Sequence, residues 1–252
     1  MCSATTSTSK CSRALSASPY VKSAYAKKLL DTAGLADSNP IRMPMEIQLQ
    51  FRKVGTMPEV DVTNYRSIVG SLHYLVNTHL DLAYFVGYVS RFMEAPREEH
   101  LVAVKRILRY VVGTRGWSVR YCSGRGKKKL ELVDYSDSDM AGDVDDRKST
   151  SGMIYFLSDD AICWQSTKQK VVALSSCEAE YIAASTVAKQ GVWLARLMEE
   201  LIGREGDPPM LYVDNKATIS LIKNPFLHNR SKYIKIRFHY NQECADRGAY
   251  QD

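Results

Sequence analysis

The spacing of apolar residues changes period once along these 252 residues, which limits the chain to a helical block followed by an α/β unit. Tyr25, Leu29 and Leu30 form a short helical pattern that Gly34 ends. Residues 37–61, punctuated by Pro40, Pro44, Gly55 and Pro58, read as a loop. Asp61 or Thr63 then caps a helix carrying Tyr65, Ile68, Val69, Leu72 and Leu75 at three-and-four spacing. Asp81 opens a second helical stretch with Ala83, Phe85, Val86, Val89 and Phe92. A third begins at Pro96–Glu98, with Leu101, Val104, Ile107, Leu108 and Val111 on its stripe and Gly113 at its end. Lys105, Arg106 and Arg109 lie off that stripe and give it a basic face.

Residues 123–129, Ser-Gly-Arg-Gly-Lys-Lys-Lys, form a basic linker and the best domain boundary, dividing a 20–122 segment from a 130–252 unit. Beyond it the period drops to two. Leu130 and Leu132 share one face, and Val133, Tyr135 and Asp137 the other. Met153 to Leu157, a Ser158-Asp159-Asp160 turn and Ala161 to Gln165 read as a hairpin, and Val171 to Leu174 as an extension of the sheet. A long helix is expected from Ser176 to Ile202, a strand over 210–214, a short helix from Asn215 to Ile222 and a final helix from Ser231 to Ala245. The order of strands and helices gives a mixed α/β sheet with helices packed on it.

With 45% hydrophobic and 25% charged residues, the composition is that of a globular protein. The formal net charge of +6 suits a polyanionic partner without requiring one. No run of about 18 apolar residues exists to span a membrane. None of the six cysteines forms a C-x-x-C pair or a zinc-spaced cluster, as expected of reduced thiols inside the cell. Residues 1–19, rich in Ser, Thr and Ala, read as a disordered leader without a secretory apolar core.

Three acids stand where a merely solvated acid is not needed. Glu180, Ala184, Val187, Gly191, Leu194, Met198 and Leu201 alternate steps of four and three, so a glutamate leads the apolar stripe of the long helix. A bare charge there is costly unless it is paired, metal-bound or at the edge of the core. Glu180 equally suits the favourable field of a helix N-terminus, and Glu178 suits a capping box with Ser175. Asp137, near a strand end, reads as a turn former or a site acid; Asp214, after Met210 to Val213, as an N-cap or a site acid. Magnesium sites draw such carboxylates from different elements.

Several strings carry a resemblance. Tyr135-Ser-Asp-Ser-Asp-Met-Ala-Gly-Asp143, Arg147-Lys-Ser-Thr-Ser-Gly152, Trp164-Gln-Ser-Thr-Lys-Gln-Lys170, Ala173-Leu-Ser-Ser-Cys-Glu-Ala-Glu-Tyr181 and Tyr212-Val-Asp-Asn215 resemble the ribonuclease H domain of copia-type retrotransposon polyproteins. Upstream, Tyr65-Arg-Ser-Ile-Val-Gly-Ser-Leu-His-Tyr-Leu75, Ser90-Arg-Phe-Met93 and Ala103-Val-Lys-Arg-Ile-Leu-Arg-Tyr110 resemble the segment after the polymerase core of the same polyproteins. The likeness covers about residues 20–252 in the same order.

The resemblance implies a ribonuclease H-like α/β fold, a mixed sheet with flanking helices, preceded by a mainly helical reverse transcriptase tail. It implies hydrolysis of the RNA strand of RNA–DNA hybrids, with Asp137, Glu180 and Asp214 as catalytic, metal-binding carboxylates for two Mg²⁺ ions, or Mn²⁺ in their place. Arg147, Lys148, Lys168 and Lys170 become candidate phosphate contacts, with ordinary surface cations as the alternative. The partners implied are the hybrid and the remainder of the polyprotein, with no membrane. The alternative function is a catalytically inactive nucleic-acid-binding remnant. The Tyr-x-Asp-Asp motif of the polymerase palm is absent, so no DNA synthesis is expected. Met140 stands where the family has Trp, and Tyr233 and Lys235 where it has His and Asp. The family domain is expected to continue past Asp252 with a strand and an acid-bearing helix, leaving a sheet position empty in this chain.

Overall fold

A computed structural model describes residues 19–46, 49–117, 119, 121, 130–203, 209–223 and 250–251. Residues 1–18 of the leader, the 123–129 linker, the expected helix from Ser231 to Ala245, and Tyr233 and Lys235 lie outside the described residues; the leader's last residue, Pro19, opens the first helix.

The helical block contains α1 (Pro19–Thr32), α2 (Val62–Val76), α3 (Ala83–Val89) and α4 (Glu98–Thr114), with short 3-10 turns at Leu80–Leu82 and Ser90–Phe92. Asp61 caps α2, its carboxylate accepting the Thr63 N–H at 2.8 Å. Tyr65, Ile68, Val69, Leu72 and Leu75 all turn inward, as their spacing requires, onto Val86, Val89, Val104, Ile107 and Leu108. The basic face of α4 is structural in part. Arg106 pairs with Glu46 at 2.6 Å, and Arg109 Nε donates to the Asn39 carbonyl at 3.0 Å, so both fasten the loop before α2.

The second unit is a five-stranded mixed sheet ordered β3-β2-β1-β4-β5. Its strands are β1 (Leu132–Ser138), β2 (Thr150–Leu157), β3 (Asp160–Lys168), β4 (Met210–Val213) and β5 (Tyr250–Gln251). The hairpin β2–β3 is antiparallel and turns at Ser158, which sits at φ 58°. β1 pairs antiparallel with β2 and parallel with β4. Two sequence expectations are corrected. Val171 to Leu174 does not extend the sheet; it is the irregular lead into α5, and Ala173 is buried against Ala179 and Ile182. The sheet position beside β4, expected to be empty, is taken over two residues by β5, which pairs parallel with Leu211 and Tyr212.

Helix α5 (Ser176–Ile202) lies across β1 and β2, and α6 (Lys216–Lys223) follows β4. Ser175 caps α5 by accepting the Glu178 N–H at 3.1 Å, and Gly203 ends it at φ 71°, a conformation that favours glycine. The apolar stripe is buried from Glu180 to Leu194 and emerges at its far end, where Leu201 is 74% exposed. Gly191 is small for a reason: a Cβ there would lie 3.1 Å from the Tyr155 hydroxyl, which donates to the Val187 carbonyl. Among the described residues, no helix is long and apolar enough to cross a membrane.

The two parts are docked. Gly87 of α3 brings the helix close to β3, where an added Cβ would be 3.2 Å from the Ser166 carbonyl. Trp164 Nε1 donates to the Val76 carbonyl at 2.8 Å, and the Lys53 N–H to Asp145 at 2.8 Å.

Candidate metal centre and its groove

Alternation along β1 decides which acid goes where. Leu132, Asp134 and Ser136 are buried under α5, whereas Tyr135 and Asp137 face away from it. The parallel register Ser136↔Val213 makes Asp137 and Asp214 the next residues of adjacent strands, both at the C-terminal edge of the sheet. Glu180, in the first turns of α5, reaches the same edge. Its Oε1 accepts the Ser138 N–H at 2.9 Å. One carboxylate oxygen from each of Asp137, Glu180 and Asp214 lies within 4.8 Å of the others. Three elements far apart in sequence thus bring together the three acids singled out above.

Their alternative roles fare differently. Asp214 does not cap α6; Asn215 does, its Oδ1 accepting the N–H groups of Ala217 at 3.0 Å and Thr218 at 3.1 Å. Of the capping box expected at α5, Ser175 supplies its half by accepting the Glu178 N–H, while the Glu178 carboxylate accepts the Leu174 N–H at 2.9 Å, one residue before the cap. Glu180 is only 5% exposed, and its Oε2 has no hydrogen-bond partner among the described residues. Burial pushes its carboxyl up to about 7. The Ser138 N–H opposes that shift, while the charges of Asp137 and Asp214 add to it. A buried carboxylate with one unpartnered oxygen, set within 4.8 Å of two further carboxylates, is unfavourable without a cation, so the donor set fits a divalent metal with oxygen preference.

Asp137 and Asp214 also line a groove of about 560 Å³. One wall is the open face of the sheet, including Tyr135, Gly152, Ile154 and Trp164. The other is Leu80, Ala83 and Tyr84 of the helical block. Tyr135 stacks on Tyr212 at 5.2 Å, leaving an aromatic floor beside the acids.

The candidate phosphate contacts are not equivalent. Lys168 is held by Asp143 at 2.5 Å and Asp146 at 2.8 Å, and Lys148 pairs with Asp146 at 3.5 Å. Arg147 and Lys170 are exposed, and Arg147 sits at φ 55° in the left-handed region. Met140 is half-exposed on the same loop.

Two residues were missed by sequence reasoning. Asp143 is a buried hub: Arg91 approaches it at 3.3 Å, and it accepts N–H groups from Asp145 and Asp146. Burial alone would raise its carboxyl, but Lys168 and those N–H groups hold it at about 2. Asp134 lies in the core, and burial pushes its carboxyl up to about 8. Its parity with Leu132 was the available signal. For Asp143 the sequence offered only its place in an acid-rich loop.

No protein-family model matches the chain. It is similar to the retrovirus-related Pol polyprotein from transposon TNT 1-94 of Nicotiana tabacum, 41% identical over 232 residues, and to that from transposon RE1 of Arabidopsis thaliana, 40% identical over 225. These matches cover 88% and 89% of this chain but span 17% and 15% of the relatives' own lengths. A shorter relative, the secreted RxLR effector protein 161 of Plasmopara viticola, is 44% identical over 131 residues, which are 52% of this chain and 90% of that protein.

Proposed function

The chain belongs to the family of copia-type retrotransposon Pol polyproteins, and from that membership and the carboxylate cluster we propose that it is a retrotransposon-derived ribonuclease H-like protein that hydrolyses the RNA strand of RNA–DNA hybrids. In this reading residues 130–252 form a ribonuclease H-like unit, 20–122 a reverse transcriptase tail, and the remainder of the polyprotein is the natural partner. The observation that carries it is the convergence of Asp137, Glu180 and Asp214 within 4.8 Å at one sheet edge, beside a groove.

Asp137, Glu180 and Asp214 would hold the divalent cations, Mg²⁺ or Mn²⁺. Bound there, such ions activate a water and neutralise charge on the leaving oxygen. The chain's own residues do the rest. The Ser138 N–H fixes Glu180 in direction, so that its second oxygen stays free to ligate. The exposed Asp137 and Asp214 open the site to the groove. Of the four candidate phosphate contacts, Arg147 and Lys170 are the exposed ones, while Lys148 and Lys168 are already paired with acids.

The test is cleavage of an end-labelled RNA in an RNA–DNA hybrid with Mg²⁺, with Asp137→Asn and Glu180→Gln in parallel. Cleavage by the unmodified chain, lost in both variants, is expected. An intact hybrid with salt-sensitive binding retained would instead identify an inactive binding remnant.

A further inference from the structure

The contacts that dock the helical block onto the sheet differ in where they lead. Trp164 and Gly87 hold α2 and α3 against β3. Arg91, just after α3, reaches past β3 to the loop between β1 and β2. Its Nη1 lies 3.3 Å from Asp143 Oδ2, and its Nη2 donates to Thr150 Oγ1 at 2.7 Å. Its side chain is 11% exposed and its guanidinium lies 4.9 Å from the centre of the Tyr88 ring.

Thr150 is the first residue of β2 and the clasp on the end of β1. Its N–H donates to Asp139 Oδ1 at 2.6 Å, and its carbonyl accepts the Asp139 N–H at 3.1 Å. Asp139 directly follows Ser138, whose N–H holds Glu180, and Asp137 pairs with Gly152 two residues along β2. Gly142 lets this clasp close, because a Cβ there would collide with the Asp139 carboxylate. A continuous set of hydrogen bonds therefore runs from the helical block to the residues that shape the carboxylate cluster.

We infer that Arg91 is a positioning residue for the carboxylate site, through which the helical block fixes the end of β1 that carries Asp137 and Ser138. This rests on the reading of Asp137, Glu180 and Asp214 as a divalent-metal site. A planar guanidinium suits the task because it addresses a carboxylate and a hydroxyl at once, from fixed directions, where an ammonium has a single point of charge. The helical block also supplies Leu80, Ala83 and Tyr84 to the groove, so the site is built by both parts of the chain.

The experiment is calorimetric titration of Mn²⁺ into the full chain and into Arg91→Ala, Arg91→Lys and Thr150→Val, with hybrid cleavage measured on the same samples. Removing a group that orients metal ligands typically costs 10–100-fold in affinity or activity. Arg91→Ala is expected to weaken Mn²⁺ binding by about tenfold or more and to lower kcat with KM little changed. Arg91→Lys should recover part of the loss, and Thr150→Val should show a smaller one. A purely structural Arg91 would lower the melting temperature and leave the Mn²⁺ affinity of the folded protein unchanged, and that result overturns the inference. Should Arg91→Ala fail to fold, Thr150→Val decides alone: Mn²⁺ affinity equal to the unmodified chain overturns it. If the unmodified chain binds Mn²⁺ but cleaves no hybrid, the nuclease reading fails while the affinity comparison still decides the role of Arg91. Absence of Mn²⁺ binding by the unmodified chain overturns both.

Discussion

Glu180 and Asp134 show how one residue's surroundings set its chemistry. Both are buried carboxyls pushed up, to about 7 and about 8, chiefly by loss of water. A carboxyl that binds its proton more tightly when folded stabilises the fold at low pH. That contribution is lost as pH rises from the unfolded value toward the folded one. For Asp134 the window runs from about 4 to about 8. Metal-free thermal melts are therefore expected to show stability falling across that range, and Asp134→Asn to flatten the fall and stabilise the chain at pH 8 by on the order of a few kcal/mol. A slope unchanged in Asp134→Asn would contradict this. Arg147 carries a different prediction. Its φ of 55° costs about 1 kcal/mol for a side chain and little for glycine. Arg147→Gly should thus keep or raise the melting temperature while weakening hybrid binding, as read by filter binding at two salt concentrations. Parity along β1 was legible in the sequence; which face α5 would cover was not, because the helix approaches from 40 residues away. The covered face proved to be that of Leu132 and Asp134, leaving Asp137 on the open side.

At the level of elements, the sequence was most legible where periodicity is long. The stripe from Glu180 to Leu201 runs along most of α5, whose own ends Ser175 and Gly203 mark by ordinary capping chemistry. Segments too short to carry a period were misjudged. Val171 to Leu174 is apolar enough for a strand, yet it serves as an irregular lead whose buried member, Ala173, packs on α5 itself. The close approach of α5 to β2 makes Gly191 a sensitive position. A Cβ there meets the Tyr155 hydroxyl at 3.1 Å and Pro209 at 3.3 Å. Gly191→Val is expected to destabilise by about 1–3 kcal/mol in urea denaturation through overpacking. Leu201→Gln, on the emerging end of the same helix, should change stability by less than about 0.5 kcal/mol. Similar losses at both positions would mean that α5 does not lie on the sheet as described.

For the whole molecule, the division into a helical block and an α/β unit followed from the change of period, whereas their docking did not. The Arg91–Asp143 contact joins residues 52 apart, with α4, the linker and β1 between them. Nothing in a one-dimensional pattern marks Arg91 as different from Arg106 or Arg109, which fasten a nearby loop. The carboxylate cluster had the same long-range character. It was reached through the combination of three positions and a resemblance, since each acid alone had an ordinary explanation. The central claim is that these three acids form one cation site, and their mutual repulsion gives it a direct measurement. Melting temperature would be recorded at pH 7.5 with and without Mn²⁺ for the unmodified chain, Glu180→Gln and Asp214→Asn. Binding to the folded state alone must raise stability with ligand concentration. The account predicts a Mn²⁺-dependent rise in the unmodified chain, with both variants melting higher than it without metal and gaining little from Mn²⁺. An equal Mn²⁺ response in all three proteins, or none in the unmodified chain, would contradict it.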